Sequence, residues 1–163
     1  MAVTPQTIDA FEAAPAKLRA AVAGLTRAEL TARPGPGDWS IHEVVVHLSD
    51  SDAISIDRMK RMLSEDNPPL LYADESAYVR RLFTHDQDLD DAITLMEIGR
   101  RQFARVLRKL PPEAFERGGQ HNRSGRVTVD HYVASYIKHV DDHLAFIRKK
   151  RVSLGKPLPE DRP

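Results

Sequence analysis

Ser40-Ile41-His42-Glu43-Val44-Val45-Val46-His47-Leu48-Ser49-Asp50-Ser51 opens the clearest helical pattern in the chain and decides how the rest is read. Ser40 and Glu43 stand three apart. At that spacing a serine hydroxyl and a glutamate carboxylate each satisfy a backbone N–H that a helix start leaves bare. Ile41, Val44, Val45, Leu48, Ile54, Met59 and Met62 then supply one buried helix face. The helix is expected to end near Glu65, before Asn67-Pro68-Pro69.

Upstream, residues 4–23 form a first helix with Ile8, Phe11, Leu18 and Val22 on one stripe. Pro5 suits its first turn, where a missing N–H costs nothing, whereas Pro15 implies a kink or a later start. Thr26 caps a short turn, and Pro34-Gly35-Pro36-Gly37 breaks the chain before Ser40. Downstream, residues 70–85 form a long connection holding a short helix around residues 75–83. Asp88 or Leu89 opens a third long helix that stops at Pro111-Pro112, with Ile93, Met96, Phe103 and Leu107 facing inward. After a turn and a polar loop over residues 117–126, Thr128 caps the last helix, which runs to about Arg151. Its face is Val129, Val133, Tyr136, Val140, Leu144 and Ile147, and strand-like alternation is nearly absent throughout. The expected architecture is an all-α four-helix bundle with a long crossover connection between its second and third helices. Residues 1–152 read as a single domain and residues 153–163, with three prolines, as an extended tail.

At 163 residues the chain has the size of one ordinary domain, able to bury a real core. Its 24 basic and 24 acidic side chains cancel, so no net field draws it to nucleic acid or to an anionic membrane. The basic clusters, Arg100-Arg101, Arg105, Arg108-Lys109 and Arg148-Lys149-Lys150-Arg151, come with no helix-turn-helix spacing or aromatic stacking platform. The last of them complements the dipole of a helix C-terminus. No apolar run approaches the roughly 20 residues that span a bilayer, and the start of the chain lacks a signal-peptide pattern. A cytoplasmic location is the expectation. There is no cysteine. Any metal must therefore be held by His, Asp or Glu, and any thiol chemistry must use a thiol from outside.

His139 and His143 are four apart on a helix, which places their Cβ atoms roughly 6 Å apart on one face. They lie alongside Tyr136, Val140 and Ile147, so the rings face inward or along the bundle seam. His47 lies three beyond Val44 and beside Leu48, on the buried stripe of its helix. Alone it would read as a core histidine bonded to a backbone carbonyl. Three inward imidazoles are costly to bury unless they share a partner, and a divalent cation is the simplest one. Three histidines plus an open position make a catalytic metal pattern. Zinc or nickel is the expected ion. Asp50 and Asp142 stand near in sequence, either to orient an imidazole or as solvated acids. His42 is expected to be exposed in its first helical turn, His85 and His121 to lie in loops, and His131 to lie off the apolar face. Arg58, three turns beyond His47, either faces the same cavity as an anchor for a carboxylate or is an exposed Arg with a packed stem.

The stretch Gly37-Asp38-Trp39-Ser40 through His47-Leu48-Ser49-Asp50-Ser51 resembles the DinB/YfiT-like family, with its Trp-Ser-x-x-Glu opening and His-Leu-x-Asp-Ser block. Tyr136-Ile137-Lys138-His139-Val140-Asp141-Asp142-His143-Leu144-Ala145-Phe146-Ile147 resembles that family's closing His-x-x-x-His motif. Arg58, Glu65-Asp66 and Tyr72-Ala73-Asp74-Glu75 resemble it between the two. Lys138 and Val140 flank His139 where the family carries an aromatic and extra histidines. The resemblance implies a four-helix bundle, one metal ion on His47, His139 and His143, and a homodimer. It also implies either a transferase using a small thiol such as bacillithiol or mycothiol on an electrophilic substrate, or a metal-dependent hydrolase. A non-catalytic metal-binding or stress-response protein is the third class, and it would close the coordination with a fourth protein ligand.

Overall fold

Helix starts in this chain are set by side chains that serve bare N–H groups. In the computed structural model, which describes residues 3–33 and 39–161, Thr4 Oγ1 accepts from Thr7 N at 3.2 Å and opens α1 (Pro5–Val22). The Pro34-Gly35-Pro36-Gly37 breaker lies outside the described residues. Thr26 and Glu29 form a capping box on α2 (Arg27–Thr31). Ser40 Oγ accepts from Glu43 N at 3.1 Å at the start of α3 (Ile41–Ser64), as its sequence spacing requires. Asp74 caps α4 (Glu75–Arg81), and Asp88 accepts from Asp90 N and Asp91 N at 2.8 and 2.9 Å to cap α5 (Leu89–Leu107). The last helix, α6 (Val129–Ser153), differs from expectation: the Thr128 hydroxyl donates to Asp130 instead of capping the backbone.

Four long helices make the bundle. α1 and α3 each pack chiefly on α5 and α6. One core cluster joins Ile8 and Phe11 at the start of α1 with Met59 and Met62 late in α3, Phe103 and Leu107 late in α5, and Val129 and Val133 early in α6. The other joins Leu18, Ile41, Val44, Leu48, Ile93, Met96, Val140 and Ile147, from the opposite halves of the same helices. Neighbours α1 and α6 therefore run parallel, and so do α3 and α5. Because α3 and α5 point the same way, the connection over residues 65–88 must return along the bundle. This is the crossover expected from the sequence, and it carries α4 past α3.

Between the two core clusters sits a buried polar layer centred on Arg100 of α5, fully inaccessible to solvent. Its Nε and Nη2 donate to Asp52 Oδ1 of α3 at 2.8 and 2.6 Å, and Nη2 also reaches Tyr136 O of α6 at 3.0 Å. Nη1 donates to Phe11 O of α1 at 3.0 Å. Pro15 explains that last bond. Lacking an N–H, it cannot serve the carbonyl four residues back, and Arg100 does so instead. One guanidinium thus ties all four bundle helices, and α1 runs through Pro15 without a break in its assignment.

Two further departures from the sequence reading concern the ends of the bundle. A three-stranded sheet joins the two long connections: β1 (Pro69–Leu70) pairs parallel with β2 (Gly118–His121), which pairs antiparallel with β3 (Gly125–Thr128). Strands this short leave no alternation to read. Gly119 is needed where β1 and β2 meet, because a Cβ there would stand 2.8 Å from Pro68 O. The tail, expected to be extended, returns to its own bundle. Residues Pro159–Asp161 make a 3-10 turn, Leu158 is buried, and Lys156 and Glu160 pair with Glu29 and Arg148 at 3.4 and 3.2 Å. Arg151 supports this return by donating to Lys156 O at 2.8 Å and to Ala21 O and Ala23 O at 3.0 Å, serving carbonyls that the end of α1 leaves bare. No helix is long and apolar enough to cross a membrane among the described residues.

Candidate metal centre

α3 and α6 pack together beside the start of α4, and that meeting brings His47, His139 and His143 together. One nitrogen from each ring lies within 4.8 Å of the others, and His47 Nε2 is 3.3 Å from His139 Nε2. Among the described residues this is the one cluster of three or more His, Asp or Glu side chains able to hold a metal ion. His143 Nδ1 lies 2.9 Å from His139 O. A carbonyl only accepts, so Nδ1 carries the proton and Nε2 of His143 keeps its lone pair for the centre. His47 is buried, while His139 and His143 are partly accessible, which leaves the cluster open on one side.

Electrostatics keep the His47 and His139 rings neutral. Burial, followed by the neighbouring His139 and His143, lowers the His47 pKa to about 3. Burial, His143 and Arg100 lower that of His139 to about 4, against a small opposing pull from Asp142. Neutral rings have lone pairs to donate, and the Nε2 atoms of His47 and His139 face each other at 3.3 Å. The residues therefore fit a divalent cation. The same shifts make a prediction for the metal-free protein. Unfolded histidine titrates near 6.5, so as pH falls below that value the unfolded state takes protons that the folded state refuses. His47 then costs roughly 2 kcal/mol of stability by about pH 5, and the partly accessible His139 a smaller share. Urea melts of metal-free protein at about pH 7.5 and about pH 5 should show this loss, and equal midpoints would contradict it.

The carboxylate nearest the triad comes from an unexpected element. Glu75, first residue of α4, places Oε2 3.4 Å from His47 Nδ1, and its Oε1 accepts from Ser51 Oγ at 3.1 Å. Burial raises its pKa. In sequence Glu75 stands out only within the Tyr72-Ala73-Asp74-Glu75 resemblance, and the path of the crossover is what brings it to His47. The acids named from sequence stand elsewhere: Asp142 pairs with Lys138 at 2.6 Å on the surface, and half-buried Asp50 makes no hydrogen bond to the triad among the described residues. Arg58 is buried rather than exposed, and it lines a cavity of about 250 Å³ together with Trp39, His47 and Glu75.

The remaining histidines are structural. His42, expected to be exposed, is buried with Nε2 3.1 Å from Gln87 O, and His85 Nε2 lies 2.9 Å from Ser40 Oγ. The connection thus packs onto the start of α3. His121 lies in β2 rather than a loop, and its Nδ1 accepts from Arg123 N and Ser124 N at 3.2 Å. His131 lies near Ser135 on the outer face of α6.

The sequence profile of the DinB superfamily matches residues 10–147. The chain belongs to the DinB superfamily. YfiT of Bacillus subtilis, named "Putative metal-dependent hydrolase YfiT", is 29% identical over 149 residues, covering 91% of this chain and 84% of that one. A relative from Oceanobacillus iheyensis with the same hydrolase designation is 28% identical over 140 residues, 86% of this chain and 81% of its own. The solved structure of YfiT, described as a four-helix bundle of unusual topology, superposes with a TM-score of 0.87 over 92% of this chain and 86% of that chain. A mycothiol-dependent maleylpyruvate isomerase, 10% identical, shares the fold with a TM-score of 0.68 over 88% of this superfamily member and 60% of that chain.

Proposed function

We propose that this DinB superfamily member is a metal-dependent enzyme in which His47, His139 and His143 hold one divalent cation, zinc or nickel, and that it transfers an external low-molecular-weight thiol to a small electrophile. The observation that carries the reading is the cavity beside the triad, whose walls include an imidazole, a carboxylate and the buried cation of Arg58. A divalent cation with an open position lowers the pKa of a thiol or water bound to it, making it nucleophilic near neutral pH. The chain's own residues supply the rest. Glu75, held by Ser51, stands 3.4 Å from His47 Nδ1 and can accept a proton from the incoming nucleophile. Arg58 makes no direct salt bridge among the described residues, though the Glu75 carboxylate across the cavity feels its charge, and it donates to Tyr132 Oη at 3.3 Å and to Leu71 O. It suits a carboxylate on the incoming substrate. Trp39, its ring centroid 4.8 Å from that of His47, closes one wall against water. With no cysteine in the chain, the transferred sulfur comes from the co-substrate.

Hydrolysis is the second reading, favoured by the designations of the relatives. It uses the same residues with water in place of thiol. Protein loaded with zinc or nickel should conjugate monochlorobimane in the presence of bacillithiol, mycothiol or cysteine, and Glu75→Gln should lower kcat by roughly 10–100-fold. Saturable cleavage of p-nitrophenyl acetate without added thiol, and no conjugation, would overturn transfer in favour of hydrolysis. Tight metal binding with neither reaction would leave a metal-binding role.

A further inference from the structure

A second, larger cavity lies against the triad chamber and shares its wall. It measures about 650 Å³ and is lined by Ile54, Leu70, Leu71 and Tyr78, while Arg58, Tyr72 and Ala73 line both spaces. The smaller space has room for a reacting group. The larger is of the size that holds the body of a small organic molecule.

We propose that this cavity is a binding compartment for the apolar body of an organic anion whose acid group is held by Arg58. The chemical class follows from the walls. Arg58 is buried, yet no carboxylate among the described residues touches it: Glu75 acts on it only across the smaller chamber, and its two bonds run to a carbonyl and a phenol. Burying a guanidinium without an anion is costly, and a ligand carboxylate supplies what the chain does not. Arg61, on the rim, is already engaged by Asp57 and Glu65 at 3.3 and 3.6 Å, so Arg58 is the anchor. Apart from Asp57, which pairs with Arg61, the remaining wall is apolar and wet: Leu71 is 71% and Tyr72 42% exposed. Both are fixed there by backbone, since Asn122 N donates to Leu70 O at 3.1 Å and Tyr72 N donates to Asn122 Oδ1 at 2.8 Å. Arg123 stacks on Tyr72, its guanidinium carbon 3.3 Å from the ring centroid, which rigidifies that side chain and adds positive charge near the entrance. A rigid apolar shelf beside a buried cation with no carboxylate in contact matches an amphipathic carboxylate rather than a neutral apolar molecule or a free inorganic ion.

The proposal rests on the metal-dependent reading only for the reactive end of the substrate, because binding of the body needs no metal. The test titrates 4-phenylbutyrate and the uncharged 4-phenylbutanol into ¹⁵N-labelled full-length protein, with metal content measured on the same samples. Saturable binding of the acid is expected with a Kd near or below about 1 mM. It should shift the amides of Ile54, Tyr72 and Tyr78, and the alcohol should bind about tenfold more weakly. Leu71→Glu changes a largely exposed side chain and should weaken the acid by about tenfold, even if Arg58→Gln fails to fold. Equal affinity for acid and alcohol, no saturation below about 5 mM, or shifts confined to another face would overturn the compartment. So would ligand-free shifts at Leu71 and Tyr72 that grow with protein concentration, which would assign this face to a second copy of the chain. Metal bound without the acid binding sinks only the compartment, and the acid binding to protein that takes up no metal sinks only the metal-dependent reading.

Discussion

Arg100→Met is expected to destabilise the protein by about 3–5 kcal/mol, the usual cost of removing one partner from a buried ion pair. For a chain of this size each kcal/mol is worth roughly 2–4 °C, so the thermal midpoint should fall by about 6–20 °C. The loss is large because three groups lose their partner together. The Asp52 carboxylate stays buried with no cation, and the carbonyls of Phe11 and Tyr136 lose a donor. Phe11 O is the most exposed to this change, since Pro15 can never donate to it. The double variant Arg100→Met with Asp52→Leu should recover part of the loss, because an apolar pair of similar volume removes the uncompensated charge. A loss below about 1 kcal/mol in urea unfolding of Arg100→Met would show that the polar layer does not hold the four helices together.

His47→Leu is expected to leave the metal-free protein as stable as the parent or more so, while abolishing stabilisation by metal. His47 is a poor core residue, with a buried Nδ1 that has no aligned partner, a defect worth roughly 1–3 kcal/mol. Leucine of similar volume removes it. If the triad binds metal, adding zinc or nickel at about a thousand times its Kd stabilises the parent by roughly 4 kcal/mol, a rise of about 8–16 °C in thermal midpoint. In His47→Leu that rise should vanish. An ordinary core histidine would behave in the opposite way: the substitution would cost stability, and added metal would change neither protein.

Much of the fold could be read from spacing. The Ser40–Glu43 box, the stripe from Val44 to Met62 and the His139–His143 interval each report local geometry, and local geometry is what helical periodicity encodes. The crossover was legible from the length of the segment between α3 and α5. The missing parts depend on contacts between distant residues. Arg100 reads as one member of a basic run, although it stands four after Met96 and three before Phe103, on the buried phase of α5; together with Pro15 in α1, that phase was the available signal. Glu75 gains its place at the triad only through the path of the crossover. The sheet and the returning tail rest on short pairings and on single residues such as Gly119, Leu158 and Arg151, too small to leave a pattern.

The central claim concerns the shared partner of three clustered imidazoles, and elemental analysis of tag-free protein tests it most directly. The parent should carry, or take up on incubation with zinc or nickel, about one divalent ion per chain, and a His143→Ala variant of unchanged helical content should carry almost none. A parent that binds no ion under those conditions, or a variant that binds as much as the parent, would contradict the account.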